Sequence, residues 1–109
     1  MLKKQFRLNL REQEDFFSKC RKTHTQYFSL FYLESDSFQV TVIVPKKVRK
    51  LATQRNAVKR KYRAALQQLM SEMSSLKIKL AIVVHSAGAD LSVSEISQYI
   101  KNNVQKIRL

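Results

Sequence analysis

One stretch of this chain, Lys46 to Arg63, is too strongly charged to enter a hydrophobic core. Nine of its 18 residues are Lys or Arg, none is acidic, and no Asp or Glu occurs between Asp36 and Glu72. Because unpaired charge is costly to bury, this stretch must face water or a polyanion. The core therefore has to come mainly from the segments on either side of it.

The composition predicts one globular domain over residues 1–109. Apolar residues make up 44% of the 109 positions, and the formal net charge of +13 favours nucleic acid or an anionic membrane surface as partner. No apolar run approaches the roughly 18 residues of a membrane span, and the basic N-terminus lacks the apolar segment of a secretory signal. Cys20, the only cysteine, fits a reducing cytosol and is expected to be a small buried apolar residue. We expect a soluble, cytoplasmic protein.

A short helix is predicted from Asn9 to about Lys22, preceded by a basic arm that lies on the domain. Asn9 and Glu12 form a capping box at its start. Phe16 and Phe17 fall on its apolar side. We expect at least one of the two rings in the core, with the other available for stacking.

Three strands are predicted: Tyr27–Leu33, Phe38–Val44 and Lys77–His85. In the first, one face carries Phe28, Leu30 and Tyr32, and the other carries Tyr27, Ser29, Phe31 and Leu33. Both faces are apolar, so this strand is covered on both sides or uses one face for binding. The passage 38–85 can form a parallel pair through a crossover.

Two further helices are predicted, one from Thr53 or Gln54 to Met73 and one opened by a capping box at Ser92–Glu95. Apolar positions of the long helix follow the 3.6-residue period: Val58, Tyr62, Ala65, Leu66, Leu69 and Met73. Those of the last helix are Val93, Ile96, Ile100, Val104 and Ile107. Residues 86–91 are predicted to be a loop. This order predicts an α+β fold, with three helices packed on a small sheet.

Residues for enzyme chemistry are sparse. His24 and His85 do not give convincing metal-ligand spacing with Cys20. A single glycine excludes a glycine-rich phosphate loop, and no G-x-S-x-G motif is present. We therefore predict no catalytic or metal-ligating residues, and any chemistry should reside in a partner.

The cationic side of the long helix is the best candidate for a binding surface. A helical wheel places Asn56, Lys59, Arg60 and Arg63 together, away from the apolar stripe. Arg55 and Asn56 are predicted in the first turn, where free backbone amides also attract anions. A charged helix face is often merely solvated, but here 35 consecutive residues carry no acid. Aromatic residues such as Phe31 can stack on unpaired bases. A membrane role is disfavoured because the apolar face is needed for the core.

The segment RNAVKRKYR, Arg55 to Arg63, resembles the R-N-x-x-K-R-x-x-R signature of the bacterial ribonuclease P protein component. VIVPKK and Ala52 ahead of it resemble the strand and Lys-Lys entry of that family. DFFSKC resembles its first helix, and VVHSAGADLSVSEI its last strand, loop and helix. The resemblance covers nearly the whole chain in the same order.

The resemblance implies the small subunit of a ribonucleoprotein that removes the 5′ leader from precursor tRNA. Its RNA subunit, with bound magnesium, would perform the phosphodiester hydrolysis. The implied partners are ribonuclease P RNA and precursor tRNA, without a membrane or an obligate protein partner. The implied fold is a single sheet of three to four strands with three helices, in the order α-β-β-(β)-α-β-α, with a left-handed crossover.

The resemblance also implies roles for individual residues. The RNA-contacting set would be Arg55, Asn56, Lys59, Arg60 and Arg63, with Lys46 and Lys47 on a basic rim. Phe16 and Phe31 would touch the leader in a cleft between the first helix and the sheet. Two positions depart from the family: Ala57 stands where a third basic residue is frequent, and Cys20 where an aromatic residue is common.

Two other classes fit the residues alone. One is a non-catalytic RNA-binding protein of the ribosomal type, built on a similar α+β domain. The other is a DNA-binding regulator that uses the long helix for recognition, although no tight helix-turn-helix pair precedes that helix. Cleavage of a tRNA leader together with a ribonuclease P RNA separates the first reading from both.

Overall fold

A computed structural model describes residues 6–8 and 16–105 of the chain. Its elements are α1 Phe16–Lys19, β1 Arg21–His24, β2 Phe28–Glu34, β3 Gln39–Ile43, α2 Ala52–Met73, β4 Ile78–Val84, α3 Ser86–Ala89 and α4 Val93–Gln105. The predicted α+β class is confirmed. No helix in the described part of the chain combines the length and apolar character needed to cross a bilayer.

The strands form one mixed sheet in the order β1-β2-β4-β3. β2 pairs antiparallel with both β1 and β4. β3 and β4 pair in parallel, so α2 is the crossover between them, as the sequence predicted. The left hand of this crossover stays a prediction. Next to β3, Arg7 bridges to Val40, so residues 6–8 lie against the outer strand.

α2 and α4 cover one face of the sheet and form the main core. Phe28 and Leu30 of β2 point into it and are fully buried. All the predicted apolar positions of α2, from Val58 to Met73, are buried. In α4, Ile96, Ile100 and Val104 are buried, and Ile107 lies outside the described residues. The predicted capping box is present, since Ser92 Oγ accepts from the Glu95 amide at 3.2 Å and the Glu95 carboxylate accepts from the Ser92 amide at 3.1 Å.

The other face of the sheet carries a second, smaller apolar cluster. Leu8, Phe16 and Ala81 are buried there. Cys20, Phe31 and Leu33 pack against them and are half-buried. The prediction that both faces of β2 are apolar is thus confirmed, while Cys20 is less buried than expected.

The predictions for the end of the first helix, for residues 86–91 and for Tyr27 were wrong. The first helix ends at Lys19 instead of Lys22, because the next residues pair with β2 as strand β1. The predicted loop 86–91 contains the one-turn helix α3. Tyr27 lies just outside β2, and its ring stacks on Tyr99 of α4 with centroids 4.6 Å apart, on the core side of the sheet. The predicted capping box at Asn9 lies outside the described residues.

Tyr62 holds the middle of α2 on the sheet. Its side chain is 0% exposed, and its ring meets Phe28 edge-on at 6.1 Å. The hydroxyl donates to the Gly88 carbonyl at 2.8 Å. Burial raises the pKa of Tyr62 well above its ordinary value of 10.0, because the phenolate would lose its solvation.

We predict that Tyr62→Phe lowers the free energy of unfolding by about 1–3 kcal/mol at neutral pH, because the Gly88 carbonyl loses its buried donor. The variant should also weaken the pH dependence at alkaline pH. Unfolded chains release the Tyr62 proton near pH 10 whereas the native protein retains it, so wild-type stability falls as pH rises above that value. Denaturant titrations at pH 7, 10 and 11 measure both effects.

Tyr32→Phe is the matched control, since it removes a hydroxyl from a half-buried ring at the sheet and should change stability by less than about 0.5 kcal/mol. Equal losses in the two variants, or parallel alkaline slopes for Tyr62→Phe and wild type, would contradict the role assigned to the buried hydroxyl.

Candidate nucleic-acid interface

The cationic side of α2 faces solvent. Asn56, Arg60 and Arg63 are exposed, and Lys59 is half-buried. The helical period that buries Val58 directs this set away from the sheet. The structure therefore brings together the predicted polar and cationic positions on one surface.

The start of α2 lacks the features that usually cap a helix N-terminus. The N-cap is Leu51, whose side chain makes no capping hydrogen bond, and the first turn contains no acid. The helix begins at Ala52, earlier than predicted, and the Arg55 amide already donates to the Leu51 carbonyl at 3.0 Å. The amides without an intrahelical acceptor are therefore those of residues 51–54, ahead of the Arg-Asn pair. The prediction that Arg55 and Asn56 both lie in the first turn is wrong for Asn56, which follows that turn.

Residues 45–51, here called the basic loop, lead from β3 into α2. They form a turn that is held by hydrogen bonds. Val48 is buried, and its amide donates to the Pro45 carbonyl at 3.0 Å. Arg55 Nη1 donates to the carbonyls of Arg49 at 3.2 Å and Lys50 at 2.7 Å. The other basic residues of the loop, Lys46, Lys47 and Lys50, are exposed. Arg55 thus uses one nitrogen to support the loop, and its guanidinium keeps other donors for a ligand.

Lys61 points away from the cationic side. Its Nζ donates to the carbonyls of Ala89 at 2.8 Å and Leu91 at 2.9 Å, at the end of α3. Asp90, the residue between Ala89 and Leu91, forms an ion pair with Arg49 of the basic loop. These two contacts join the basic segment to residues 86–91, and sequence reasoning missed them because nothing in the spacing indicates which loop lies nearby.

Phe31 lies on the second face of the sheet, the one opposite α2 and α4, and packs half-buried against the second apolar cluster. The His24 ring meets it edge-on at a centroid distance of 6.1 Å, and Lys22 Nζ lies 5.9 Å from the ring centroid. Phe16, the other predicted cleft residue, is only 2% exposed and belongs to the same cluster. The structure therefore places Phe16 beneath the surface that Phe31 helps to form.

A hydrogen-bonded group of polar residues continues this face toward the end of β4. Ser29 is 3% exposed, and its Oγ lies 2.7 Å from His24 Nδ1 and 2.8 Å from His85 Nε2. A serine hydroxyl can donate to one imidazole and accept from the other. Sequence reasoning missed this group, because β1, which carries His24, has no apolar alternation to reveal it.

Two pockets are lined by residues of the basic segment together with residues of the sheet. One, of about 310 Å³, is lined by Lys47 and Val48 of the basic loop together with Val83, His85 and Ser86 near the end of β4. The other, of about 150 Å³, is lined by Arg63 of α2, Val40 to Val42 of β3, and Arg7 and Leu8. The cationic side of α2 and the basic loop thus border the sheet along β3 and the end of β4.

Ribonuclease P proteins match this chain in sequence. A family model described as Ribonuclease P matches residues 2–108. The ribonuclease P protein component of Pseudanabaena sp. (strain PCC 6903) is 31% identical over 106 residues, which cover 92% of this chain and 90% of that protein. The component of Mycoplasma mobile is 31% identical over 78 residues, covering 72% of this chain and 67% of that protein.

Solved structures match the fold. The RNase P protein from Thermotoga maritima superposes with a TM-score of 0.82 at 17% identity, over 94% of this chain and 98% of that one. The RNase P protein of Staphylococcus aureus gives a TM-score of 0.75 at 16% identity, over 93% of this chain and 94% of that one. With a family model that spans nearly the whole sequence and a shared fold, the chain belongs to the ribonuclease P protein family.

Proposed function

We propose that this protein is the protein subunit of a ribonuclease P that matures tRNA at the 5′ end. In this role it binds the catalytic RNA subunit and the 5′ leader of precursor tRNA, and so assists endonucleolytic removal of the leader. The observation that carries the proposal is the cationic side of α2 with the basic loop, which borders the sheet along β3 and the end of β4.

Electrostatics supports the division of labour. An RNA enzyme and its RNA substrate both carry dense negative charge and repel each other, so a subunit of net charge +13 reduces that repulsion and improves substrate capture. Phosphodiester hydrolysis is assigned to the RNA subunit, and we assign no catalytic residue to this chain. The holoenzyme is an endoribonuclease, with this protein as its accessory component.

Magnesium is the proposed metal, held mainly by the RNA subunit. Mg²⁺ in nucleic-acid enzymes is commonly bound through phosphate oxygens with few protein carboxylates. Residues 6–8 and 16–105 contain no group of three or more His, Cys, Asp or Glu side chains arranged to hold a metal. We place the assembly in the cytoplasm, with the RNA subunit and precursor tRNA as partners and without a membrane or an obligate protein partner.

The proposed RNA-contacting set lies on the cationic side of α2 and on the basic loop. It consists of Arg55, Asn56, Lys59, Arg60 and Arg63 on α2, with Lys46 and Lys47 on the basic loop. Arg55 has a second role as a support of that loop. Ala57 is exposed on the same helix and supplies no charge, so the contact is made by fewer cations than is frequent in the family.

The leader is proposed to lie on the second face of the sheet, beside Phe31. Phe31 offers a half-buried ring for stacking, and Lys22 lies near enough to it to meet a backbone phosphate. Phe16 belongs to the buried cluster beneath this surface and supports it. Cys20 packs against the same cluster. An aromatic platform of this kind favours single-stranded over paired RNA, because stacked and paired bases do not present their faces.

Reconstitution tests the function directly. The chain is combined with a bacterial ribonuclease P RNA, and leader cleavage from precursor tRNA is measured at low magnesium, where the RNA alone is slow. Faster cleavage with the protein supports the proposal. Binding of the RNA without any gain in cleavage would indicate a non-catalytic RNA-binding protein of the ribosomal type.

We predict that Arg60→Ala weakens binding of ribonuclease P RNA about tenfold near 0.1 M salt, because a charged hydrogen-bond donor to phosphate is lost. The slope of log affinity against log salt should fall by about 0.7–0.9, as expected for one phosphate contact fewer. The thermal midpoint should not change, since Arg60 is exposed. Equilibrium binding at several salt concentrations measures both quantities.

Lys101→Ala is the matched control for that experiment, since it also removes one exposed positive charge but from α4, where Lys101 pairs with Glu72. It should leave the salt slope unchanged. Identical isotherms for Arg60→Ala and wild type at every salt concentration would rule out the role given to α2.

We predict that Phe31→Ala weakens binding of precursor tRNA to the holoenzyme by about 1–3 kcal/mol, because a stacking platform for an unpaired base is removed. Mature tRNA, which lacks the leader, should bind nearly as well as before. Phe31→Leu serves as the packing control, because it keeps most of the apolar contact with the second cluster. Equal losses for precursor and mature tRNA would show that Phe31 contributes only to the core.

A further inference from the structure

The basic loop is held in place by contacts from outside itself. Arg55 of α2 supplies one tether, through its bonds to the carbonyls of Arg49 and Lys50. Arg49 supplies the other. Its Nη1 donates to the Val48 carbonyl at 2.8 Å, and its Nη2 pairs with the Asp90 carboxylate. An acidic side chain therefore anchors a loop whose exposed charged residues are all lysines.

The turn that carries Asp90 is itself fixed to α2. Lys61 Nζ binds the carbonyl on each side of Asp90, those of Ala89 and Leu91. The Tyr62 hydroxyl binds the Gly88 carbonyl. Gly88 is packed so closely that an added Cβ would lie 2.0 Å from the Tyr27 carbonyl oxygen. Asp90 thus projects from a rigid base toward the basic loop.

We infer that Asp90 is a positioning residue for RNA binding. Although Asp90 is negatively charged like RNA, its presence raises the affinity of the basic loop and α2 for RNA. By fixing Arg49 it holds the basic loop, and with it Lys46, Lys47 and Lys50, in one arrangement before the RNA arrives. A loop that is already ordered loses less conformational entropy on binding. The inference rests on the proposed RNA-binding function of this surface.

The solvent exposure of the Asp90–Arg49 ion pair limits the expected change in RNA affinity. The Asp90 side chain is 78% exposed and that of Arg49 is 27% exposed. Exposed ion pairs contribute little, so the loss of loop order should weaken RNA binding only about two- to fivefold. The direction of the change in RNA affinity nevertheless distinguishes a positioning role from an effect of net charge alone. If charge alone mattered, Asp90→Asn would raise the net charge from +13 to +14 and tighten binding.

The test compares Asp90→Asn with Glu72→Gln in equilibrium binding to a bacterial ribonuclease P RNA transcript. Glu72 is also exposed and ion-paired, with Lys101 at 3.5 Å, so its neutralisation changes the net charge equally but leaves the basic loop untouched. We expect Asp90→Asn to bind two- to fivefold more weakly, and Glu72→Gln to bind as tightly as wild type or more so. Asp90→Glu, which keeps the carboxylate, should recover most of the affinity.

Loop order is measured separately by limited trypsin digestion. Asp90→Asn should be cleaved faster after Lys47 and Lys50 than wild type, while its thermal midpoint stays within a few degrees, because the core is unchanged. Cleavage at an unchanged rate, or RNA binding as tight as wild type, would overturn the inference. Arg60→Ala separates this failure from that of the proposed function. If Arg60→Ala weakens binding while Asp90→Asn tightens it, the RNA-binding surface stands and only the positioning role fails.

Discussion

The burial of Tyr62 fixes the orientation of α2, and the binding surface depends on that orientation. The ring fills the space against Phe28 of β2, and its hydroxyl satisfies the Gly88 carbonyl. Val58, one turn earlier, is buried on the same side of the helix. The 3.6-residue period then directs Lys59, Arg60 and Arg63 outward. The core of this protein thus determines where its charge is presented.

The basic segment contains cations of two kinds, although the sequence presents them as one run. Lys61 and Arg49 make contacts inside the protein, with carbonyls of the turn after α3 and with Asp90. Lys46, Arg60 and Arg63 are exposed. Arg55 does both, because a guanidinium carries more donors than one contact uses. A positively charged surface needs such internal ties, since like charges at close range repel and would otherwise spread the loop.

Local periodicity was enough to predict much of the fold. A pattern within a few neighbouring residues predicts the six buried positions of α2 and the strands β2, β3 and β4. The spacing of Ser92 and Glu95 likewise predicts the capping box of α4. β1 could not be predicted this way. Its residues Arg21 to His24 are mostly exposed, so only their pairing with β2 makes them a strand.

Some residues of the candidate site could be predicted from local periodicity, and others could not. The cations of α2 share a helical face that the sequence reveals directly. The group of His24, Ser29 and His85 joins three positions that are distant in sequence or lie on the unpredicted strand. The ties made by Lys61 and Arg49 likewise depend on which loop the fold brings near. Contacts between separate elements are decided by tertiary packing, and one sequence contains no local signal for them.

The start of α2 breaks the usual rules for a helix N-terminus at the place where the chain is most basic. Ser, Thr, Asp or Asn is favoured at the N-cap, and Leu51 forgoes about 1 kcal/mol of that stabilisation. Acids are favoured in the first turn, yet none is present, and Arg55 follows directly. Leu51 is also 60% exposed.

Each of these choices weakens the isolated helix and favours a bound polyanion, whose phosphates would satisfy the free amides and neutralise the cations. The 22 residues of α2 and its buried stripe provide the stability that makes such a start tolerable. Local disagreement with helix rules is expected where function overrides stability. In this protein that disagreement falls at the junction of the basic loop and α2, between the two surfaces proposed to hold RNA.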